Sequence, residues 1–555
     1  PEEEKPEEEK PEEEKPEEEK PEEEKPEEEK PEEEKPEEEK PEEEKPEEEE
    51  KDFVKGEIAN IGAKRIVAPY NLVGVGIGPT RIAHDYYLTL NPKFDIKHRP
   101  WEFISSFHLP FNIKMFSTDF SGEQNENFSL RKKDWDEWHD YLRIIKYLQF
   151  GRSEDNFFLS VGSNFAQTIG HGTILKRYIP DFNPSFHTLS VKLNWYNKYG
   201  GFETLLGDVA TGNIFGGIAF FKPLSFFLDD YRSQSLSFGY TFVADHSAPS
   251  KMKYENYADM PDPYSPEWDD SIPRRLSSDH MDRPVVLSDE FIYSQGIDVE
   301  FKWFKNEKVD IKTYADYSWF NDTPEIGGFA FGALGRFNMG EDRSHAMRAQ
   351  LEMRVYDDRY IPSFFDMFYA IERYEMVTNI NGKNNFTPDG RSKYFHLTNR
   401  DESKKIFGVY SELTYSYINK FSASLGFEKL NKSFSLYGHM ELPDLWIFKG
   451  TLTYFQRGIT DFNSIFKDSD ISSALRSAVR IKILPILYIN AYVSKHWSFW
   501  PPEKLRRDDD LHGHFLSVWE AGFDVEIGYE WGKKNKKDQS DAEKESEKEE
   551  DEFIK

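Results

Sequence analysis

From about residue 70 to residue 531 the chain alternates apolar and polar positions with a period of two. That is the pattern of strands whose two faces meet different surroundings. The clearest case is the stretch 296–319. Ile297, Val299, Phe301 and Trp303 alternate with Asp298, Glu300 and Lys302, and a polar turn, Lys305-Asn306-Glu307, follows. Val309, Ile311, Ala315, Tyr317 and Trp319 then alternate with Asp310, Lys312, Tyr314, Asp316 and Ser318. The same rhythm sets Met347, Leu351, Met353 and Val355 against Arg348, Gln350, Glu352 and Arg354. It sets Leu475, Val479, Ile481 and Ile483 against Arg476, Arg480 and Lys482. Near the end, Trp519, Ala521, Phe523, Val525, Ile527, Tyr529 and Trp531 alternate with Glu520, Asp524, Glu526 and Glu530. Each arm of the hairpin has about the ~9–11 residues that cross a bilayer when tilted.

Further strand-like runs lie at 86–97, 101–112, 140–151, 157–163, 188–197, 201–209, 213–222, 236–245, 327–338, 406–418, 421–429, 433–442, 445–457 and 486–497. Taken together they predict an all-β chain, a transmembrane antiparallel β-barrel of about 16–18 strands with an even number expected. Connection lengths agree with that prediction. Asn306-Glu307, Asn419-Lys420, Asn431-Lys432 and Leu484-Pro485 are very short, whereas 113–139, 246–292, 358–404 and 498–512 are long and polar. Outer-membrane barrels have this asymmetry, with short periplasmic turns and long outer loops. The Pro, Asp and Ser density of "YADMPDPYSPEWDDSIPRRLSSDHMDRP" reads as irregular structure able to fold inward or cover a mouth.

Composition sharpens the choice between a membrane barrel and a soluble sandwich. Aromatic residues make up 16% of the chain while hydrophobic residues reach only 37%. A barrel wall with aromatic girdles and a water-facing lining gives that mixture; a soluble β-protein of this size would bury more Val, Leu and Ile. No apolar run approaches the ~18–20 residues of a transmembrane helix. There is no cysteine, which excludes disulfides and thiolate metal sites. The net charge is −32, of which residues 1–51 carry −21 through 31 Glu and 10 Lys. An anionic chain is a poor partner for phosphate backbones, so nucleic acid is set aside.

With these hairpins, aromatic ends and short turns, the chain resembles a bacterial outer-membrane porin-like β-barrel over about residues 70–531. "LSVGSNFAQTIGHGTILKRYI", "GGFETLLGDV" and "SLSFGYTFVADH" are similar to stretches of envelope barrels without an assigned substrate. The resemblance implies an outer-membrane location, contact with outer-membrane lipid and lipopolysaccharide, and diffusion of small polar solutes or ions through a channel. It lends no catalytic residue, and the chain is expected not to be an enzyme. It leaves a homo-oligomer open, since such barrels are often trimeric. The alternative function is a non-conducting anchor or interaction protein that binds through its long outer loops and its N-terminal repeat. One departure concerns the end of the chain: Trp531 would close the last strand, yet "GKKNKKDQSDAEKESEKEEDEFIK" follows it.

Candidate chemistry reduces to the lumen. "GVGIGP" (74–79) lacks the GxGxxG spacing and reads as a strand whose inner face is kept small. "GHGT" (170–173) places His171 between two glycines and reads as a constricting turn or inward loop, since no nucleophile with an orienting acid and no G-x-S-x-G elbow supports it as catalytic. His512-Gly513-His514 beside Asp508-Asp509-Asp510 reads as solvated polar surface, so no metal and no cofactor is expected. The candidate lumen-lining residues are Asp298, Glu300, Lys302, Asp310, Lys312, Asp316, Arg348, Glu352, Arg354, Arg476, Arg480, Lys482, Asp524 and Glu526. Arg348, Arg354, Arg476 and Arg480 could form a basic strip, and Asp298, Glu300, Asp310, Asp316, Asp524 and Glu526 an acidic one, setting a transverse field. The opposing reading pairs them along the wall.

Domain organisation follows: 1–51 a disordered tether, 52–69 a linker, 70–531 the barrel and 532–555 a disordered charged tail. The tether is nine copies of Pro-Glu-Glu-Glu-Lys and a variant, with no apolar residue to bury. Proline every fifth residue disfavours a continuous helix, and like charges extend the chain. A polyproline-like chain of this length reaches on the order of 150 Å. It resembles the Pro-Glu-Lys spacer of periplasm-spanning energy-coupling proteins, which implies a cell-wall or periplasmic protein partner. Both extensions are expected in the periplasm, and a signal peptide is expected to have been removed.

Overall fold

The computed structural model describes residues 71–98, 103–118, 127–151, 155–162, 166–180, 187–228, 231–254, 276–279, 283–305, 308–321, 323, 325–339, 345–376, 391–398, 404–417, 420–430, 433–459, 473–499 and 515–531. Both extensions and the His512–His514 stretch lie outside the described residues. The strands in chain order are β1 (Asn71–Ile82), β2 (Asp85–His98), β3 (Phe103–His108), β4 (Phe111–Ser117), β5 (Ile145–Phe150), β6 (Phe157–Gly162) and β7 (Ser190–Asn197). Next come β8 (Gly200–Leu206), β9 (Ile214–Phe221), β10 (Leu236–Met252), β11 (Val286–Lys305), β12 (Val309–Phe320), β13 (Gly327–Met339) and β14 (His345–Asp357). The last are β15 (Lys405–Tyr417), β16 (Phe421–Leu430), β17 (Ser433–Leu445), β18 (Phe448–Ile459), β19 (Ser473–Leu484), β20 (Leu487–Phe499) and β21 (Phe515–Trp531).

Apart from β3 and β4, each strand pairs antiparallel with its sequence neighbours, and β1 pairs with β21 from Asn71↔Trp531 to Ile82↔Glu520. The sheet is therefore a closed barrel without a free edge. β3 and β4 both pair with β2, one along each half of it, and act as a single stave broken at Pro110. Proline has no N–H for the ladder, and at the break the Leu109 N–H instead donates to the Pro92 carbonyl (3.0 Å). The ring thus has 20 staves from 21 strands, more than the 16–18 counted from sequence. Every run quoted above contains a strand, although 140–144 forms a 3-10 helix ahead of β5, 101–112 is divided between β3 and β4, β8 ends at Leu206 within 201–209, and 445–457 begins with the turn into β18. Asn71–Ile82, the small-faced strand of "GVGIGP", completes the circle.

The wall has a reversed polarity. Outward Leu351, Met353 and Ile527 are 58%, 65% and 64% exposed, whereas the inward Glu352 and Glu526 between or beside them are fully buried. β12 repeats this in every position, burying Asp310, Lys312, Tyr314, Asp316, Ser318 and Phe320 while Val309, Ile311, Thr313, Ala315, Tyr317 and Trp319 face out. The connections 118–144, 163–189, 253–285, 358–404, 460–472 and 500–514 leave one end of the barrel. The turns at 198–199, 306–308, 418–420, 446–447 and 485–486 lie at the other, where β1 begins and β21 ends. Three loop expectations change, the first being that the connection expected over 113–139 becomes 118–144, because β4 runs to Ser117 and β5 starts at Ile145. The turn at 431–432 joins β16 to β17 at the long-loop end, and the loop expected over 246–292 shrinks to 253–285 because β10 and β11 extend as a long hairpin.

The inner face of β1 shows why its glycines are needed. A Cβ at Gly78 would stand 1.9 Å from the Phe523 carbonyl oxygen, and one at Gly76 would stand 2.7 Å from Asp524 Oδ1. Lys93 on β2 crosses this smooth strip and places its Nζ 2.7 Å from Glu526 on β21. Glycine here makes room for a salt bridge spanning three staves.

Candidate functional site: the charged lumen and its inward segments

A barrel of 20 staves is too wide for wall side chains alone to fill. Two segments from the long-loop end enter it. Residues 166–180 form a narrow return, held by Gln167 and Tyr178 exchanging both backbone hydrogen bonds (2.9 and 2.8 Å). Its tip is Gly170-His171-Gly172, and the glycines adopt φ of +58° and +80°, a region that disfavours side chains. The second segment, within 358–404, carries two short helices, α1 (Tyr369–Glu372) and α2 (Lys393–Thr398). The connection read as polar thus holds a dense apolar run, with Tyr360, Ile361, Phe364, Phe365, Met367 and Phe368 all buried.

The segments bind each other in parallel. Lys176 N–H donates to the Phe365 carbonyl (3.0 Å), Ser363 N–H to Thr173 (2.8 Å) and Phe365 N–H to Ile174 (3.2 Å). Ile174, Leu175 and Phe365 join Val243, Ile292 and Phe320 of the wall in one apolar cluster. The lumen is therefore partly a dry core on this side, which no alternation could announce.

Ion pairs fix the segments to the wall. Arg177 reaches Glu412 and Tyr410 on β15, the latter at 2.8 Å, and its guanidinium lies 3.6 Å from the Tyr437 ring centroid. It holds this place from a left-handed backbone, φ +53°. Lys176 Nζ sits 3.2 Å from the centre of the Tyr410 ring. Burial, with the neighbouring Arg354 next in weight, lowers the Lys176 pKa to about 7. Thr173 Oγ1 donates to Asp316 (3.0 Å). On the second segment Asp366 and Glu372 receive Arg457 of β18, Glu372 also receives Lys393 (2.8 Å), and Arg373 meets Asp245 of β10 (3.3 Å).

The candidate lining residues fall into two sectors. Asp298, Glu300 and Lys302 on β11, Asp310, Lys312 and Asp316 on β12, and Arg348, Glu352 and Arg354 on β14 lie on the sector that the first segment meets. Lys302 is half-buried near the short-turn end, and the other eight are buried. Arg476, Arg480 and Lys482 on β19 with Asp524 and Glu526 on β21 form the other sector, where all but Glu526 are half-buried. Separate basic and acidic strips are not what the wall presents. Arg348 pairs with Glu412 (2.8 Å), Arg354 with Glu352 and Glu428, Lys312 with Glu300 (3.1 Å), Arg480 with Glu526 (2.6 Å) and Lys482 with Glu530 (2.6 Å). The signs interleave because opposite charges meet on the shared inner face, within one strand or between strands one or two staves apart, which offsets the cost of burying either.

Several partners were not singled out from sequence. Glu412 and Glu428 sit in regular alternations, "YSELTYSY" and "SLGFEKL", and were legible as inward. Lys93 follows Pro92, which hid its strand parity. Arg177 and Lys176 stand in a segment without periodicity. His171, read as an inward turn, is inward: its ring stacks on Tyr314 at 3.7 Å with 1° between planes. Burial works against its charge, but Asp298 and Glu300 outweigh this and raise its pKa to about 9.

Among known proteins, no family model matches the chain, and no curated protein matches its sequence. Solved structures similar to it include Wzi, described as an outer-membrane protein involved in group 1 capsule assembly in Escherichia coli and a carbohydrate-binding β-barrel. It is 11% identical, covers 82% of this chain and 84% of its own, and has a TM-score of 0.26. OccK11 (OpdR) of Pseudomonas aeruginosa is 9% identical over 84% of this chain and 99% of its own, with a TM-score of 0.27. OccAB3 of Acinetobacter baumannii is 8% identical over 83% and 99%, with a TM-score of 0.28. At such scores the assignment of the fold rests on the closed strand pairing described above.

Proposed function

We propose that the chain spans the bacterial outer membrane and passes small polar solutes or ions through a lumen narrowed by its two inward segments. The observation that carries this reading is the reversed wall: a closed ring that exposes apolar and aromatic side chains and buries ionised ones. Only a surrounding of hydrocarbon outside and polar groups inside makes both faces favourable. The interleaved charges offer donors and acceptors in alternation with little net field, which suits neutral or zwitterionic solutes and weak ion selectivity. The reading contains no catalytic step.

In this orientation the short-turn end faces the periplasm, so residues 1–51 and 532–555 would leave on that side. The repeat then serves as a tether toward cell wall or a periplasmic protein. The test of transport is single-channel recording of the purified full chain in a planar bilayer. Discrete conductance steps are expected, and none over long recordings would overturn the channel.

A second reading has its own observation. The dry contact between the inward segments, centred on Leu175 and Phe365, suits a closed barrel that anchors or binds. Silent recordings together with capture of an envelope partner by the full chain would favour it.

A further inference from the structure

We propose that the tip of the first inward segment and the wall strand β11 form a site for one divalent transition-metal ion of the zinc class, ligated by His171, Asp298 and Glu300. The ligand atoms of these residues all lie within 4.8 Å of one another. His171 Nε2 is 3.1 Å from Glu300 Oε1 and 3.6 Å from Asp298 Oδ1. A tetrahedral ion with bonds of ~2.0–2.2 Å holds its ligand atoms roughly 3.3–3.6 Å apart. The two histidine–carboxylate separations already bracket that spacing.

His171 Nε2 is buried and, despite the nearby carboxylates, has no hydrogen bond of acceptable geometry. The ring cannot easily turn away. It is clamped face to face on Tyr314, whose hydroxyl donates to Glu352 (2.5 Å) and accepts from Gln350 (2.7 Å). Gly170 and Gly172 allow the backbone turn that delivers the ring. Asp298 and Glu300 are two apart on one strand and so share its inward face. Lys312 Nζ lies 3.1 Å from Glu300 Oε2, orienting the carboxylate from behind and leaving Oε1 toward the histidine.

The donor set of one imidazole and two carboxylates chooses the ion. It suits zinc and its neighbours better than calcium, which takes six to eight oxygens, or magnesium, which keeps most of its water. Three protein ligands leave a fourth position for water or a polar group of a passing solute. Because two ligands belong to the wall and one to the inward segment, the ion would latch that segment in place, linking metal binding to docking.

The test uses the full chain in detergent, stripped with a chelator and dialysed against micromolar zinc chloride. About one equivalent should be retained by the wild type and lost in His171→Gln. Asp298→Asn and Glu300→Gln should each weaken binding at least tenfold. His108→Gln, which alters a half-buried histidine beside a carboxylate (Asp95, 3.7 Å), should leave it unchanged. Cobalt in place of zinc should give the visible absorption of a tetrahedral centre. Unaltered heat-dependent gel migration shows that each variant is folded, and if His171→Gln fails to fold, the two carboxylate variants decide. No retained zinc in the wild type, or one equivalent that survives the ligand substitutions, would overturn the proposal. None of these readouts requires conductance, so failure of the channel reading and failure of the site are told apart.

Discussion

If the inward segments narrow the lumen, removing one buried anchor should open it by a calculable amount. Arg177→Ala is the sharpest perturbation, because the side chain belongs to the segment and its partners to the wall. The guanidinium donates to Glu412 and to Tyr410 and packs over the Tyr437 ring. Hydrogen bonds involving a charged group contribute ~1.5–3 kcal/mol each, and a desolvated cation–π contact contributes ~2 kcal/mol. Undocked, the arginine regains hydration, which offsets part of that sum. Glu412 is not stranded by the change, since Arg348 still reaches it at 2.8 Å. After that offset about 3–5 kcal/mol of docking is lost out of a gross ~5–8 kcal/mol, with no added penalty for an unpaired carboxylate. At 1.4 kcal/mol per factor of ten, the ratio of closed to open levels in planar-bilayer recordings should fall by roughly 100- to 4000-fold. Lys405→Ala, which trims an exposed lysine 3.7 Å from Asp357, should leave the ratio unchanged. A change in Arg177→Ala of less than tenfold, in protein whose gel migration is normal, would mean that this anchor does not hold the segment.

Other consequences test the wall and the tether. Glu526→Gln removes the common partner of Lys93 and Arg480 (2.7 and 2.6 Å), and should cost about 3–5 kcal/mol in urea unfolding from lipid vesicles; a loss under ~1 kcal/mol would show a wet, screened site. Gly78→Val drives a side chain into the Phe523 carbonyl, so the β1–β21 seam should fail and the heat-modifiable form disappear, while Val75→Ala on the outer face keeps it. In a potassium chloride gradient the reversal potential should lie near zero because charges of both signs line the lumen; a value near the full cation or anion limit would contradict the interleaved pairing. Deleting residues 1–51 should leave assembly and conductance intact and reduce capture of cell-wall or periplasmic partners, and loss of assembly would refute the tether. Docking should also depend on pH through Lys176, faced by Arg354, Arg177, Glu352, Glu428 and the Tyr410 ring. Its pKa falls from 10.5 to about 7 on docking, so docking releases a proton above about pH 7, and closure strengthens as pH rises from about 7 toward 10.5. His171→Gln removes the other titrating group of the segment, and in that background Lys176→Met should abolish the trend.

The wall was legible residue by residue because each strand meets two contrasting surroundings. Leu351 and Met353 must face away from Glu352 wherever β14 sits in the ring, so parity alone places them. Parity likewise puts Asp310, Lys312 and Asp316 on one inner face and keeps the inner face of "GVGIGP" small. Parity says nothing about which strand lies opposite or how the interior is filled, and there the reading from sequence fell short. The pairing of Arg348 with Glu412 needs the register of β14 on β15, across the long connection 358–404. The inward segments have no period to read because they meet protein on every side: Phe364, Phe365 and Phe368 point to different neighbours, and all are buried. Their signal is of another kind, an aromatic density in "IPSFFDMFY" that a solvated loop has no use for. Such a run inside a connection already placed at a barrel mouth has only the lumen in which to hide. A wide barrel and an apolar loop therefore explain each other: twenty staves leave a space that wall side chains cannot fill, and the loop supplies the core that fills it.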